Sequence, residues 1–171
     1  MGRSIRMFSV LVMILLLSSV VQAQTLLIDQ KNVLKDLKGV EVLVEDLKPD
    51  IEKDGLSKSS IQTDVELKLR MAGIKVLTEE EWLKEPGTPY LYVSVNSFKK
   101  EEEVSYSINI ALELNETVCL VRDLTMSCNA VTWSTSYIGK VGKLKVNEIR
   151  DGVKDRVDIF INDYLAVNPK E

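Results

Sequence analysis

Hydrophobic and polar residues alternate along the middle third of the chain, in the stretches YLYVSVNSF, VSYSINIALELNETVCLV and CNAVTWSTSYIG. This period of two residues is typical of half-buried β-strands. In each stretch one set of alternate positions is apolar, and the other set is rich in serine, asparagine or threonine. Antiparallel sheets with one face on the core and the other in water have this pattern. The sequence therefore predicts a three-stranded meander with one solvated face.

Hydrophobic residues recur at helical spacing on both sides of the meander. IQTDVELKLRMAG before it and VNEIRDGVKDRVDIFINDYLAVNP after it each carry one apolar stripe, as amphipathic helices do. TEEEW, which begins at Thr78, predicts a short helix with a capping box, and GVEVLVEDLKPD and IKVL predict two further strands. Gly152 weakens the last helix by about 1 kcal/mol relative to alanine. The predicted fold is α+β in the order β-α-β-α-β-β-β-α, with a mixed, mostly antiparallel sheet and helices packed on one face.

The N-terminal residues have the pattern of a secretory signal peptide. Arg3 and Arg6 precede an apolar run from residue 7 to about residue 21, and small residues lead to Ala23. We expect cleavage after Ala23 (signal peptide 1–23), one α+β domain over residues 24–171, and a periplasmic or secreted location. A retained membrane anchor is the alternative, but the run is shorter than the roughly 20 residues that span a bilayer. No later segment predicts a stable membrane span.

The two cysteines of the chain are Cys119 and Cys128. They lie near the tip of the predicted hairpin, Cys119 at the end of its first strand and Cys128 at the start of its second. If they face each other, the same register places Leu114 opposite Trp133, so the apolar faces of both strands coincide. Thiols of exported proteins oxidise readily. We therefore expect a Cys119–Cys128 disulfide that fixes the register of the hairpin. Free thiols are one alternative; a redox pair is disfavoured because reactive dithiols usually form a CxxC motif.

The composition excludes several kinds of chemistry. The chain has no histidine, which removes histidine-dependent nucleophilic sites and the usual zinc sites. Its net charge of −4 at pH 7 argues against nucleic acid as a partner, because nucleic-acid binding requires basic patches. The acidic runs 79–81 and 101–103 are interpreted as a helix cap and a solvated turn. We expect no catalytic activity, no cofactor and no metal; a carboxylate-based hydrolase is the weakest alternative.

Three stretches carry a resemblance to known proteins: Tyr90 to Phe98, Tyr106 to Val121 and Cys128 to Trp133. With the strand and helix before them, they are similar in layout to the N-terminal domain of TolB and related periplasmic or outer-membrane lipoprotein modules. The stretch VELKLRMAGIKVLTEEEWLKEPGTPYLYVSVN also resembles exported bacterial proteins of uncharacterised activity. The resemblance implies an accessory domain of the cell envelope. The chain departs from that group because it lacks a lipobox cysteine and propeller repeats.

Tyr90 and Tyr92 lie on the polar side of the first meander strand, among small polar residues. Aromatic side chains are enriched at protein interfaces, so we expect these two to bind an envelope protein partner, unless the short helix or the N-terminal arm covers them. The alternative function is a small-ligand or lipid carrier. Its groove would lie between the sheet and the C-terminal helix and be lined by Trp133, Phe160 and Tyr164, which are also ordinary core residues.

Overall fold

A computed structural model of the protein describes residues 29–100 and 102–169. The predicted signal peptide and its cut after Ala23 lie outside these residues. Two 3-10 helices, Gln30–Leu34 and Lys143–Lys145, precede the first strand and the last helix. The strands are β1 (Glu41–Val44), β2 (Tyr90–Phe98), β3 (Ser105–Leu120) and β4 (Asp123–Gly142), and the α-helices are α1 (Pro49–Lys53), α2 (Lys58–Met71), α3 (Glu79–Trp82) and α4 (Glu148–Val167).

The four strands form one sheet in the order β1-β2-β3-β4. β1 and β2 are parallel, with Val42 opposite Leu91, whereas the β2–β3 and β3–β4 pairs are antiparallel. The stretch IKVL, predicted as a short strand, contributes a parallel bridge between Val40 and Val76. The predicted α+β class with a mixed, mostly antiparallel sheet is confirmed.

Helices α2 and α4 pack on one face of the sheet and enclose the core with it. Their apolar stripes meet the alternate apolar positions of the strands, as period-2 and period-3.6 patterns require. The rings of Trp133 and Phe160 pack edge to face, with centroids 5.1 Å apart. The buried residues of α2 and α4 are Ile61, Val65, Leu69, Ile149, Val153, Val157 and Phe160, and the buried strand residues include Val42, Val44, Leu91, Val93, Val95, Ile110, Leu112, Leu114 and Trp133.

Helix α4 approaches the sheet closely at Gly152. A Cβ atom at this position would lie 2.8 Å from Ile110 Cδ1, which is closer than an ordinary van der Waals contact. The glycine that weakens the helix by its propensity thus allows the helix to pack near β3.

Ion pairs join the two large helices, and a cap begins the short one. Arg150 donates two hydrogen bonds to Asp64, at 2.7 and 2.9 Å, and these hold the pKa of Asp64 below its ordinary value. The predicted capping box of α3 is confirmed: the Glu81 amide donates to Thr78 Oγ1 at 3.3 Å, and the Thr78 amide donates to the Glu81 carboxylate at 3.1 Å.

A polar cluster lies at the end of the sheet where β3 begins. The hydroxyl of Tyr106 donates to Asp54 Oδ2 at 2.6 Å, and Lys143 Nζ lies 3.2 Å from Asp54 Oδ1. Lys99 Nζ lies 4.8 Å from the centroid of the Tyr106 ring. Tyr106 and then Lys143 lower the pKa of Asp54. The cluster therefore ties the loop after α1 to the ends of three strands.

The predicted register of the β3–β4 hairpin is confirmed as far as Leu114, which lies opposite Trp133. Beyond this pair the register shifts by one residue, so that Asn115 faces Val131 and Thr132 has no partner across the strand. A bulge of this kind inserts one extra residue into one strand of an antiparallel pair. The register predicted from the cysteines would also place Asn115 opposite Thr132, and that part of the prediction is wrong.

The predicted disulfide is also wrong, because the bulge separates the two cysteines. Cys119 lies opposite Ser127, and Cys128 lies opposite Val118. Successive residues of a strand point to opposite faces, so the two thiols lie on opposite faces of the hairpin. Both cysteines are free and exposed.

Candidate functional site

One face of the sheet carries the helices, and the other is the surface on which the sequence places the candidate tyrosines. We call this second surface the open face. It contains the directly opposed pair Asn96 and Asn109, both exposed. Its other members include Tyr90, Tyr92, Ser94, Phe98, Ser107, Ala111, Glu113, Asn115, Ser134, Ser136 and Ile138, which occupy alternate positions of β2, β3 and β4.

Tyr90 is half-buried and held from two sides. The ring of Trp82, from α3, meets it edge to face with centroids 6.3 Å apart. The Asn129 side-chain amide donates to the Tyr90 hydroxyl at 2.8 Å. The short helix thus contacts one edge of the Tyr90 ring. The Tyr90 ring is partly exposed and fixed in orientation.

Tyr92 lies two residues further along β2 and is also half-buried. It faces Glu113 on β3 and Leu43 on β1. Burial, followed by hydrogen bonding to Glu45 and its charge, raises the pKa of the Tyr92 hydroxyl. Tyr92 therefore remains a neutral donor at ordinary pH, next to carboxylates that can accept.

A cleft of about 300 Å³ lies between the first half of α4, the first residues of β3 and the last residues of β4. The ring of Tyr137 lies beside Arg156, with the guanidinium carbon 5.7 Å from the ring centroid. This volume is at the lower end of the range for small-molecule pockets. The lining includes apolar Ile108, Ile110, Val141 and Ile149, and charged Lys140, Glu148, Asp151, Asp155 and Arg156.

The aromatic residues expected to line a ligand groove lie elsewhere. Trp133 and Phe160 are buried in the core, and the Trp133 ring nitrogen donates to Asp163 at 2.9 Å. Tyr164 donates its hydroxyl to the Leu37 carbonyl at 3.0 Å. The cleft therefore lies beside Tyr137 and not beside Trp133.

The tip of the β3–β4 hairpin is a feature that sequence reasoning missed. Residues 121–129 are all exposed, so both strands extend beyond the helices that cover the rest of the sheet. Leu124 is 72% exposed, Met126 50% and Val131 49%. Alternation predicts such strands but gives no sign of where the covering helices stop.

The described residues contain neither a cluster of metal-binding side chains nor a helix that could cross a membrane. No group of three or more cysteine, aspartate or glutamate side chains there is placed to hold a metal ion. Within residues 29–100 and 102–169, no helix combines the length and the apolar character that crossing a bilayer requires.

Comparison with known proteins gives distant structural similarities and no match by sequence. No known protein family matches the chain, and no curated protein sequence matches it. Three chains of solved structures match. One of them is a PelC dodecamer from Paraburkholderia phytofirmans, with 14% sequence identity and a TM-score of 0.41, over 76% of this chain and 92% of that chain. A similarity of this size does not identify a function.

Proposed function

We propose that the protein is a non-catalytic module of the cell envelope that binds an envelope protein partner through the open face. The observation that carries this proposal is the position of Tyr90 and Tyr92 on a sheet face that the large helices leave uncovered. Export to the periplasm or beyond is part of the proposal, and the signal-like pattern of residues 1–23 supports it.

The chemistry of the open face supports protein binding. Tyrosine offers a large, rigid contact surface with one polar group, and it is enriched among the residues that dominate binding energies. Trp82 and Asn129 hold Tyr90 in place, so little side-chain freedom is lost when a partner docks. Ser94 and Ala111, the next opposed pair along this face, have small side chains that do not extend beyond the Tyr92 ring.

The test is a double substitution, Tyr90→Ser with Tyr92→Ser, in a cross-linking pull-down from the native envelope. We expect recovery of the partner to fall at least tenfold, as the loss of two interface tyrosines predicts. The matched control is Leu67→Ser with Met71→Ser, since these side chains are 53% and 78% exposed on α2 and lie away from the open face.

Circular dichroism and thermal unfolding should show that both double variants are folded. A partner recovered equally well by the tyrosine variant and by the wild type would contradict the proposal. Equal losses in the tyrosine variant and the α2 control would contradict it as well, because the effect would then not belong to the open face.

A further inference from the structure

The outer edge of β4 presents unpaired backbone groups at the hairpin tip. The Thr117 amide donates to the Gly87 carbonyl at 2.7 Å, so the backbone of Thr117 points away from β4. Asn129 is opposite Thr117, and in an antiparallel pair its N–H and C=O must then point to the free edge. Because the orientation of backbone groups alternates along a strand, the N–H and C=O groups of Ser127 and Val131 also point to the free edge. In the described part of the chain none of these backbone groups has a partner.

The rest of the same edge is blocked by side chains. Gln30 donates to the Ser134 carbonyl at 2.7 Å, and Arg156 reaches the Ser136 carbonyl at 3.4 Å. At the turn, the Asp123 carboxylate accepts from the Thr125 amide at 3.0 Å. Proteins protect exposed edges in such ways because an open edge pairs with other strands. The free segment, 127–131, therefore lies between two protected ends.

The side chains of this segment suit pairing with an identical strand. If two copies of this strand pair antiparallel about a two-fold axis that passes through one residue, even-numbered residues lie opposite even-numbered residues. The apolar face of one copy then continues the apolar face of the other. Met126, Cys128 and Ala130 then form one apolar surface, and Ser127 and Asn129 form the polar surface behind it. No charged residue lies between 124 and 131, so self-pairing brings no like charges together.

Charges at the ends of the segment are complementary in the same arrangement. Arg122 is exposed and makes no ion pair with any described residue. With a two-fold axis through residue 128, Arg122 of each copy comes beside Ser134 of the other. Near Ser134 lie Asp29, next in sequence to Gln30, and Asp163, which accepts from Trp133. Asp29 is paired with Lys31 and Arg156 reaches the Ser136 carbonyl, so Asp163 is the carboxylate near Ser134 that makes no ion pair with a described residue.

We propose that the β4 edge over residues 127–131 is a dimerisation surface and that its occupant is a second copy of this chain. The two β4 strands pair antiparallel about a two-fold axis, which joins two four-stranded sheets into one. The closed symmetry and the blocked carbonyl of Ser134 end the pairing, so the assembly stops at two copies. Dimerisation uses the backbone edge of this segment, whereas the Asn129 side chain contacts Tyr90 on the open face.

The first experiment compares two proline substitutions by sedimentation equilibrium over a wide range of concentration. We expect Ser127→Pro to raise the dimer dissociation constant at least tenfold, because proline removes an edge N–H that the second copy uses. Ser136→Pro is the matched control, since its N–H also points away from β3 but lies outside the free segment. Met126→Lys is a second variant, which places two like charges across the axis if Ser127→Pro fails to fold.

The second experiment uses the two native cysteines with a short bismaleimide. Two Cys128 thiols would lie about 5–8 Å apart across the paired strands, whereas two Cys119 thiols would be three strand spacings apart, about 14 Å. The Cys119→Ser variant should therefore form a covalent dimer, and Cys128→Ser should form at least tenfold less. A wild-type protein that stays monomeric, equal cross-linking of both variants, or equal weakening by both prolines would overturn the proposal.

Discussion

Among single residues, Tyr106 makes a contact whose strength depends on pH. It is 1% exposed, and its hydroxyl donates to Asp54. Burial, followed by the hydrogen bond and charge of Asp54, raises the pKa of Tyr106 from 10.0 to about 12. The folded state therefore favours the protonated hydroxyl. Its contribution to the free energy of unfolding is complete below pH 10 and is lost as the pH rises from 10 to 12.

We expect Tyr106→Phe to lower the free energy of unfolding by about 1.5–3 kcal/mol at neutral pH, the usual contribution of a hydrogen bond to a charged group. The difference between wild type and variant should shrink above pH 10, in urea unfolding at a series of pH values. Tyr137→Phe is the control, because its hydroxyl makes no hydrogen bond to a described residue. A difference that stays constant up to pH 12 would contradict this role of Tyr106.

At the scale of elements, the bulge in β4 decides which residues of the hairpin can be bridged. Cys119 and Ser127 are opposite each other in a non-hydrogen-bonded pair, for which Cα atoms lie about 4.5 Å apart, within the range of a disulfide. We expect the double variant Ser127→Cys with Cys128→Ser to form an internal disulfide on oxidation of dilute protein. Alkylation and mass spectrometry should find no free thiol in its monomer and two in the wild-type monomer. An internal disulfide in the wild type would mean that the bulge is absent.

The same hairpin shows how far sequence reasoning reaches. The register from Ser105 to Leu114 follows from alternation, because a slip of one residue would turn every apolar side chain into water. Beyond Leu114 the strands leave the core, so burial no longer constrains the register and the extra residue, Thr132, is not visible in the pattern. Gly152 is similar: propensity identifies a weak helix position, whereas its close approach to Ile110 depends on tertiary packing. The positions of Tyr90 and Tyr92 on one face were predictable, but their contacts with Trp82 and Asn129 were not.

At the scale of the whole molecule, the sheet has a covered region and a projecting region, which should differ in local stability. Ile110, Leu112 and Leu114 of β3 are 0% exposed beneath the helices, whereas residues 121–129 are all exposed. Amide groups exchange slowly where opening must break a packed core and rapidly where few apolar contacts hold the backbone. We therefore expect slow hydrogen exchange over 108–114 and fast exchange over 121–131 in dilute protein, measured by mass spectrometry of peptides.

Protein concentration separates the two origins of protection in that experiment. Protection of 121–131 should rise with concentration in the wild type, because a second copy pairs with the free edge, and should stay low in Met126→Lys. Exchange over 108–114 should be slow and equal in both proteins at every concentration, since the helices of the same chain protect it. If 108–114 exchanged as fast as the tip, the helices would not cover the sheet and the division of the molecule into two regions would be wrong. If instead the tip were protected at every concentration in both proteins, its stability would come from within one chain, and the free edge would not be what a second copy binds.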